Sequence, residues 1–220
     1  MVDDRSLPIV VLGAGGHAKV VIEALRAAGR HAVAGCIAPA GSTVLDVPLL
    51  GGDDMLPAVR ARGIAHAIVA MGSNDRRLAL GQRLTAMGFD LATVIHPAAT
   101  VSPSARIGRG VTVLAGAVIN AEAEIGDHAI VNTLAVVEHG CIVGEAAHVA
   151  PRAALGGDAV LGRLSLLGIG ASVVPGRRIG SQVVIGAGAA VTGNLGDRVT
   201  AVGVPARVIK SAPLTAPGSA

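Results

Sequence analysis

Aromatic side chains are almost missing from this sequence. Its 220 residues include one phenylalanine, Phe89, and neither tyrosine nor tryptophan. Single strands of nucleic acid are usually bound by stacking bases on aromatic rings. The scarcity of rings, with basic residues spread along the chain, therefore argues against a nucleic-acid-binding protein despite a net charge of +3. A mildly basic surface suits small phosphorylated ligands instead.

Cysteines and long apolar runs are also scarce. Cys36 and Cys141 are the two cysteines, and neither lies in a CxxC or Cys/His cluster, so neither a disulfide framework nor a structural zinc site is indicated. No apolar run approaches the roughly 18 residues of a membrane-spanning helix. The start MVDDRS is acidic, whereas a signal peptide begins with basic residues. We therefore expect a cytoplasmic protein without membrane insertion.

What the sequence does contain is an unbroken six-residue period. Every sixth residue from Val101 to Val191 is valine, isoleucine or leucine, sixteen positions in succession. Four positions after each of these lies a mostly small residue, such as Ala135 or Cys141. A fixed short period indicates a repeat architecture. Three six-residue sides make one coil, and coils stack about 4.8 Å apart, so the pattern predicts a parallel β-helix of about five coils with a narrow interior.

The residue directly after each aliphatic position is often one that tolerates a positive φ. It is glycine in eight of the sixteen repeats and asparagine in two more, and these residue types adopt left-handed backbone most readily. We expect this position to turn the chain from one side to the next. The repeats also divide the chain into an α/β domain at 1–97, a β-helix at 98–210 and a Pro/Ala/Ser-rich tail at 211–220, which we expect to be disordered.

The first hundred residues alternate between strand and helix patterns. The predicted strands are LPIVVL, HAVAGCI, IAHAIVAM and FDLATVI, and the predicted helices are KVVIEALRAAG, MLPAVRARG and RRLALGQRLTAMG. Strands that alternate with helices through short links form a parallel sheet covered by helices. The sequence therefore predicts a Rossmann-like N-terminal domain.

A glycine loop, GAGGHA at residues 13–18, joins the first strand to the first helix. Small residues there let backbone N–H groups at a helix start approach an anionic group. A nicotinamide dehydrogenase would also need an acidic residue about twenty positions later, and Ala38 stands at the end of the second strand. The glycines either bind a phosphorylated ligand or only pack strand against helix. His17 favours the ligand, because a polar ring adds nothing to such packing.

Four histidines lie in the repeats or at their edge. His96 is most simply a structural cap at the domain junction, and His128 follows Gly-Asp on a corner that we expect to be solvated. His139 stands beside a glutamate, and His148 follows nine residues later. γ-Class carbonic anhydrases hold zinc with histidines of a β-helix, but the spacings here do not resemble that pattern. We expect no metal.

Four stretches together resemble one family. GAGGHAKVVIEAL, HPAATVSPSARIG, VNTLAVVEHGCIVGEAAHVAPRAALGG and AVGVPARVIK run from about residue 8 to 210. They are similar to bacterial nucleotide-sugar acetyltransferases, the family of the UDP-4-amino-sugar N-acetyltransferases, GDP-perosamine N-acetyltransferase and sialic acid O-acetyltransferases. INAEAEIGDHAIVNT looks nearest to the perosamine type. The resemblance implies a left-handed β-helix, acetyl-CoA as co-substrate, a homotrimer with sites between neighbouring subunits, and cell-surface glycan assembly such as O-antigen synthesis.

The resemblance also implies roles for individual residues. His139 would act as general base while the sugar amine attacks the thioester of acetyl-CoA, a task that suits an imidazole. No acyl-enzyme is expected, because Cys141 occupies a small inward position. The implied catalytic residues are His139, Glu138 and Asn132, the acetyl-CoA contacts are His148, Ile169 and Ala187, and the nucleotide-sugar contacts are Gly15, Gly16, His17 and Gly72. Arg207 and Lys210 either meet CoA phosphates or belong to a solvated tail.

Two positions depart from the family pattern. Relatives usually carry Glu or Asp directly after the catalytic histidine, where this chain has Gly140, so Glu138, a backbone carbonyl or water must orient the ring. Relatives often have an acidic residue where this chain has Ala38, which leaves UDP, GDP and CMP sugars, or a free sugar, open. An N-acetyltransferase acting on a nucleotide-linked amino sugar is the leading hypothesis. The alternatives are an O-acetyltransferase of a sialic-acid-like sugar and a non-catalytic trimeric scaffold that binds sugar nucleotides.

Overall fold

A computed structural model describes residues 6–39 and 44–211. Apart from residue 211, the tail expected to be disordered lies outside the described residues. No helix in the described part of the chain is both long and apolar enough to cross a membrane.

The N-terminal domain is a five-stranded parallel sheet with helices, which confirms the Rossmann-like prediction. Its strands lie in the order β3-β2-β1-β4-β5. Helix α1 is capped at its C-terminus by Gly29, whose N–H donates to Leu25 O. The backbone of Gly29 is in the left-handed region (φ 70°), which is common directly after a helix and favours glycine. The elements are β1 (Leu7–Leu12), α1 (Gly16–Ala28), β2 (His31–Ile37), β3 (Leu49–Gly51), a 3-10 turn (Asp53–Met55), α2 (Leu56–Ala61), β4 (His66–Val69), α3 (Asn74–Ala86) and β5 (Asp90–Leu91). Strand β3 was not predicted.

The last strand predicted for this domain, FDLATVI, is divided between two sheets. Its first part is β5, and its second part, β6 (Val94–Ile95), belongs to the β-helix. Ala92 donates its N–H to Ala67 O of the N-terminal sheet, whereas Val94 donates to Val111 O of the next coil. The prediction of one strand was wrong because the chain changes hydrogen-bonding partners within two residues. The domain boundary between residues 97 and 98 stays a prediction.

The remainder of the chain coils into a three-sided prism of short parallel strands. Face 1 contains β7, β10, β13, β16, β19 and β22, face 2 contains β8, β11, β14, β17 and β20, and face 3 contains β6, β9, β12, β15, β18, β21, β23 and β24. The strands are β7 (Thr100–Val101), β8 (Arg106–Ile107), β9 (Thr112–Val113), β10 (Val118–Ile119), β11 (Glu124–Ile125), β12 (Ile130–Val131), β13 (Val136–Val137), β14 (Ile142–Val143), β15 (His148–Val149), β16 (Ala154–Leu155), β17 (Val160–Leu161), β18 (Leu166–Leu167), β19 (Ser172–Val173), β20 (Arg178–Ile179), β21 (Val184–Ile185), β22 (Ala190–Val191), β23 (Val199–Val202) and β24 (Arg207–Ser211).

The predicted aliphatic positions fill the interior of the prism. Each strand from β7 to β22 ends on one of them, and Val131, Val137 and Val143 are fully buried or nearly so. The small positions, such as Ala135 and Cys141, are buried in the same core. Coils are tied by backbone bonds, for instance from Val136 N–H to Ala153 O at 2.9 Å. The prediction of a narrow β-helix is confirmed.

The reason given for the glycines after the aliphatic positions was wrong. Positive φ occurs two residues later, at positions such as Leu134 (φ 57°) and Ala146 (φ 51°), where the N–H bonds to a carbonyl of the previous coil. The glycines instead allow close stacking of coils. A Cβ at Gly144 would lie 2.5 Å from Arg163 N, which no real side chain achieves.

Replacing one of these glycines should therefore destabilise the prism. We expect Gly144→Ala to lower the free energy of unfolding by about 1–3 kcal/mol, because its methyl group meets backbone that cannot move away. Gly193→Ala is the matched control, since a Cβ there has no neighbour within 4 Å. Chemical denaturation of both variants measures the difference, and equal stability would refute the stacking explanation.

Candidate functional site

An open cleft of about 400 Å³ lies at the carboxyl ends of β1 and β4. The chain leaves β1 toward β2 on one side of the sheet, and β4 flanks β1 on the other. Ligands of open α/β sheets bind at such a switch point. The cleft is lined by residues 13–17, residues 70–73 and Arg76.

The glycines that line this cleft fall into two groups. A Cβ at Gly13, which has φ 125°, would lie 2.8 Å from Ala70 O, so this glycine packs strand against strand. A Cβ at Gly15, Gly16 or Gly72 would meet nothing within 4 Å. Helix α1 begins at Gly16 with no acidic residue in its first turn, so its positive end is free to attract an anion. Packing alone therefore does not explain the loop.

Arg77, which sequence reasoning missed, holds the N-terminal domain on the β-helix. It is 1 % exposed, and its guanidinium donates to His128 O at 2.6 Å, Ala146 O at 2.8 Å and Met71 O at 3.0 Å. One group thus bonds two coils and the cleft loop that precedes α3. A signal was available, because Arg77 lies on the buried stripe of α3 with Gly81 and Leu84, at helical spacing.

His128 lies at the same domain junction. It is 6 % exposed, so the expectation of a solvated corner was wrong. The ring packs against Gly81 of α3, where any side chain would overlap it. Asn74 reinforces the junction by donating to Leu164 O at 2.9 Å. His96, by contrast, accepts the Ala98 N–H at its Nδ1 (3.0 Å), a contact that suits a cap.

His17, Asn132 and His148 meet where the cleft loop lies over face 3. The Thr133 N–H donates to Asn132 Oδ1 at 2.8 Å, so Asn132 Nδ2 faces His148 Nε2 at 3.0 Å and donates to it. This arrangement leaves the ring proton of His148 on Nδ1. His17 Nε2 is buried and has no hydrogen-bond partner among the described residues, and a bound polar ligand would satisfy it.

Both histidines of this cluster are neutral near pH 7. Burial, with a smaller effect from the charge of Arg77, lowers the pKa of His17 to about 4. Burial, followed by the charges of Arg77 and His17, lowers the pKa of His148 to about 3. Arg77 stays charged, because burial lowers its pKa only to about 10. The cluster therefore presents neutral rings beside a fixed cation.

His139 is on the opposite side of the prism. It belongs to the turn between β13 and β14, which is the edge where faces 1 and 2 meet. His148 is on β15 of face 3, and face 3 lies across the prism from that edge. Within one chain, the structure brings His17, Asn132 and His148 together but does not bring His139 to them.

The ring of His139 is largely exposed and lies near a carboxylate. Its Nδ1 is 4.0 Å from Asp158 Oδ1. Glu138 forms no ion pair with this ring, and both residues are in the described part of the chain. The role of Glu138 stays a prediction without a contact to support it. Cys141 is fully buried, and this burial is the main reason why the pKa of its thiol is raised. A raised pKa disfavours the thiolate, as expected for a residue that is not a nucleophile.

Two of the predicted acetyl-CoA contacts, Ile169 and Ala187, share an edge with Asn132, which was predicted to be catalytic. Asn132, Ile169 and Ala187 all lie in turns between faces 3 and 1, and Ile169 is 59 % exposed. Arg207 and Lys210 are exposed on β24, the last strand of face 3. No group of three or more His, Cys, Asp or Glu is placed to hold a metal ion within residues 6–39 and 44–211.

Known proteins share both halves of this arrangement. The family of the PglD N-terminal domain matches residues 8–84. PerB from Caulobacter crescentus, solved in complex with CoA and GDP-perosamine, is 48 % identical with a TM-score of 0.90, covering 92 % of this chain and 97 % of that one. The acetyltransferase domain of PglB from Neisseria gonorrhoeae, solved with acetyl coenzyme A, is 36 % identical with a TM-score of 0.89, covering 93 % and 100 %.

These likenesses, with the fold, define an acyltransferase built from a Rossmann-like domain and a left-handed β-helix. The chain belongs to the nucleotide-sugar acetyltransferase family that includes perosamine N-acetyltransferase and the PglB acetyltransferase domain. The predicted fold class, family and enzyme type are confirmed.

The two neutral histidines should make the protein sensitive to acid. Their folded pKa values lie below the usual value of 6.5, so the unfolded chain binds more protons below that pH. Their contribution to stability is therefore complete above pH 6.5 and is lost as the pH falls toward 4. We expect the free energy of unfolding to drop by about 4–5 kcal/mol between pH 7 and pH 4.5.

Chemical denaturation at several pH values measures this loss. The double variant His17→Gln, His148→Gln is the control, because it removes both titrating rings and leaves the surface carboxylates. Its stability should change less over the same range. A variant that loses as much stability as the wild type would show that other groups cause the acid sensitivity.

Proposed function

We propose that this enzyme transfers the acetyl group of acetyl-CoA to the amine of a GDP-linked 4-amino sugar of the perosamine type. The observation that carries this is the 47–48 % identity, over 92–93 % of the chain, with perosamine N-acetyltransferase solved in complex with CoA and GDP-perosamine. The PglB domain is less similar, at 36 % identity. An amine acceptor is preferred to a hydroxyl on the same ground.

The residues suit a direct transfer. The nucleotide diphosphate lies against Gly15, Gly16 and Gly72, where backbone N–H groups and the start of α1 attract its charge. The sugar amine attacks the thioester carbonyl carbon and forms the C–N bond, while His139 Nε2 accepts the amine proton. The C–S bond then breaks, and the CoA thiolate leaves and takes a proton from the imidazolium. No covalent intermediate forms on the enzyme.

We further propose a homotrimer in which each site combines two subunits. The cleft, His17, Asn132 and His148 lie over face 3 and its edge with face 1, whereas His139 is at the other edge of face 1. A neighbour packed against face 1 brings these two edges together. The outward residues of face 1 suit such packing because they are small or aliphatic and uncharged: Thr100, Val118, Val136, Ala154, Ser172 and Ala190.

In this arrangement Ile169 and Ala187 continue the acetyl-CoA path along the edge between faces 3 and 1. The path extends away from Asn132, and Arg207 and Lys210 supply positive charge near the end of the prism. The cytoplasmic location and the role in O-antigen synthesis stay predictions of the family resemblance.

The activity is tested by CoA release from acetyl-CoA with GDP-perosamine, a UDP-4-amino sugar and a sialic acid as acceptors. We expect GDP-perosamine to give the highest kcat/KM. His139→Ala should lower kcat by about 10²–10⁴-fold, the usual contribution of a general base, with unchanged thermal stability. An unaffected kcat would remove His139 from the reaction, and a preference for sialic acid would replace the proposed acceptor.

The shared site is tested by mixing two inactive variants. His139→Ala lacks the base, and Gly16→Leu fills the cleft. Refolded together in equal amounts, they should recover about a quarter of the wild-type activity, because random trimers place a competent cleft beside a competent histidine at about a quarter of their sites. Each variant refolded alone is the control. No recovery in the mixture would place the whole site within one subunit.

A further inference from the structure

The carboxylate nearest to His139 comes from the next coil. Asp158 Oδ1 is 4.0 Å from His139 Nδ1, about 1 Å more than a hydrogen bond. The Asp158 N–H donates to His139 O at 2.9 Å, so the two backbones are fixed to each other. Side-chain rotation alone can therefore close the gap, and catalytic hydrogen bonds commonly tighten when substrates bind.

Two glycines make room for this pair. His139 lies over Gly157, where a Cβ would be 2.5 Å from the ring Nε2 and 2.6 Å from Cε1. A Cβ at Gly140 would overlap Asp158 Oδ1. A side chain at position 140 and the observed carboxylate of Asp158 thus exclude each other. The observed position of the Asp158 carboxylate therefore depends on having glycine, and not an acidic residue, directly after His139.

The backbone of this edge makes the exchange possible. Gly140 has φ 64° and Asp158 has φ 60°, so they occupy equivalent turn positions in consecutive coils. Aspartate is among the residues that best tolerate this left-handed conformation. Glu122, with φ 60°, occupies the same position one coil before Gly140. This edge therefore carries one carboxylate in the coil before Gly140 and one in the coil after it. The carboxylate in ion-pair range of His139 is that of Asp158.

We propose that Asp158 is the positioning residue of the base, replacing the acidic residue that the family usually has at the position of Gly140. It accepts the Nδ1–H of His139, which leaves the Nε2 lone pair directed at the sugar amine and stabilises the imidazolium that forms when the amine proton arrives. When the CoA thiolate takes that proton, the ring returns to its first state. This inference rests on the proposed function of His139.

The kinetic test compares Asp158→Asn with Glu122→Gln. Asparagine keeps the shape of aspartate and tolerates the left-handed turn but lacks the charge. We expect kcat to fall by about 10- to 100-fold, part of what a general base contributes. KM for both substrates should stay within about twofold, and the acid limb of the kcat profile should move to lower pH. Glu122→Gln should leave kcat, the KM values and the acid limb unchanged. An unchanged kcat in Asp158→Asn, or an equal fall in Glu122→Gln, would overturn the proposal.

A reciprocal exchange guards against a folding defect. Asp158→Gly alone should lose activity, and Asp158→Gly combined with Gly140→Asp should regain at least about tenfold, because the carboxylate returns beside the ring from the other coil. Both left-handed positions accept glycine and aspartate. Failure of the exchange to recover activity, in a trimer that melts like the wild type, would contradict the positioning role.

A measurement on the free enzyme separates this proposal from the proposed function. Nitrogen-15 shifts of the His139 ring, assigned with His139→Asn, report which ring nitrogen carries the proton. The wild type should show the proton on Nδ1, and Asp158→Gly, which lacks the acceptor, should show a smaller share of that tautomer. If the ring behaves in this way but no nucleotide sugar supports CoA release, the proposed function fails and the pairing stands. A ring with the same tautomer in both proteins overturns the pairing itself.

Discussion

One buried guanidinium holds the two domains of this protein in a fixed relation. Arg77 has no carboxylate partner among the described residues, and its donors are satisfied by carbonyl oxygens of two coils and of the cleft loop, together with the Asn74 side chain. A charge that is buried without bonds is very costly, so the domain junction has one favourable geometry. That geometry places the cleft over face 3, and it sets the neutral state of His17 and His148. The proposed nucleotide site therefore depends on the junction as well as on the glycine loop.

The shape of the prism separates His139, the proposed general base, from the cleft and from the cluster of His17, Asn132 and His148. An edge and the face opposite to it cannot meet in one chain, whatever the side chains are. In the proposed trimer a second copy supplies the missing edge, and the uncharged outward residues of face 1 are the proposed contact surface. In the single chain His148 is partly buried, whereas His139 is largely exposed. In the proposed trimer the partly buried cluster binds substrate, and the exposed His139 completes the site of a neighbouring subunit.

The sequence predicted the periodic features well and the non-local contacts poorly. A six-residue period with a matching small position depends only on which side chains face inward, so the β-helix could be read directly. The glycines of the repeat were identified, but their purpose was not, because close approach between coils involves residues about eighteen positions away. His128 was placed on the surface and Arg77 was overlooked for the same reason, since both are buried by a domain that is distant in sequence. Asp158 is a further case: its carboxylate lies 4.0 Å from the His139 ring, and only the stacking of coils brings the two residues close.

The coil also sets the unit in which this protein can change length. Each six-residue side rotates the chain by one face, so an insertion of six residues between His139 and His148 would move every later residue to a different face. His148 would leave face 3, and Ile169 and Ala187 would no longer share an edge with Asn132. An insertion of one complete coil beyond Ala187 would leave all of these positions in register and would only lengthen the prism. Insertions and deletions tolerated in this family are therefore expected to comprise whole coils away from the site, because each repeat contacts only its neighbours.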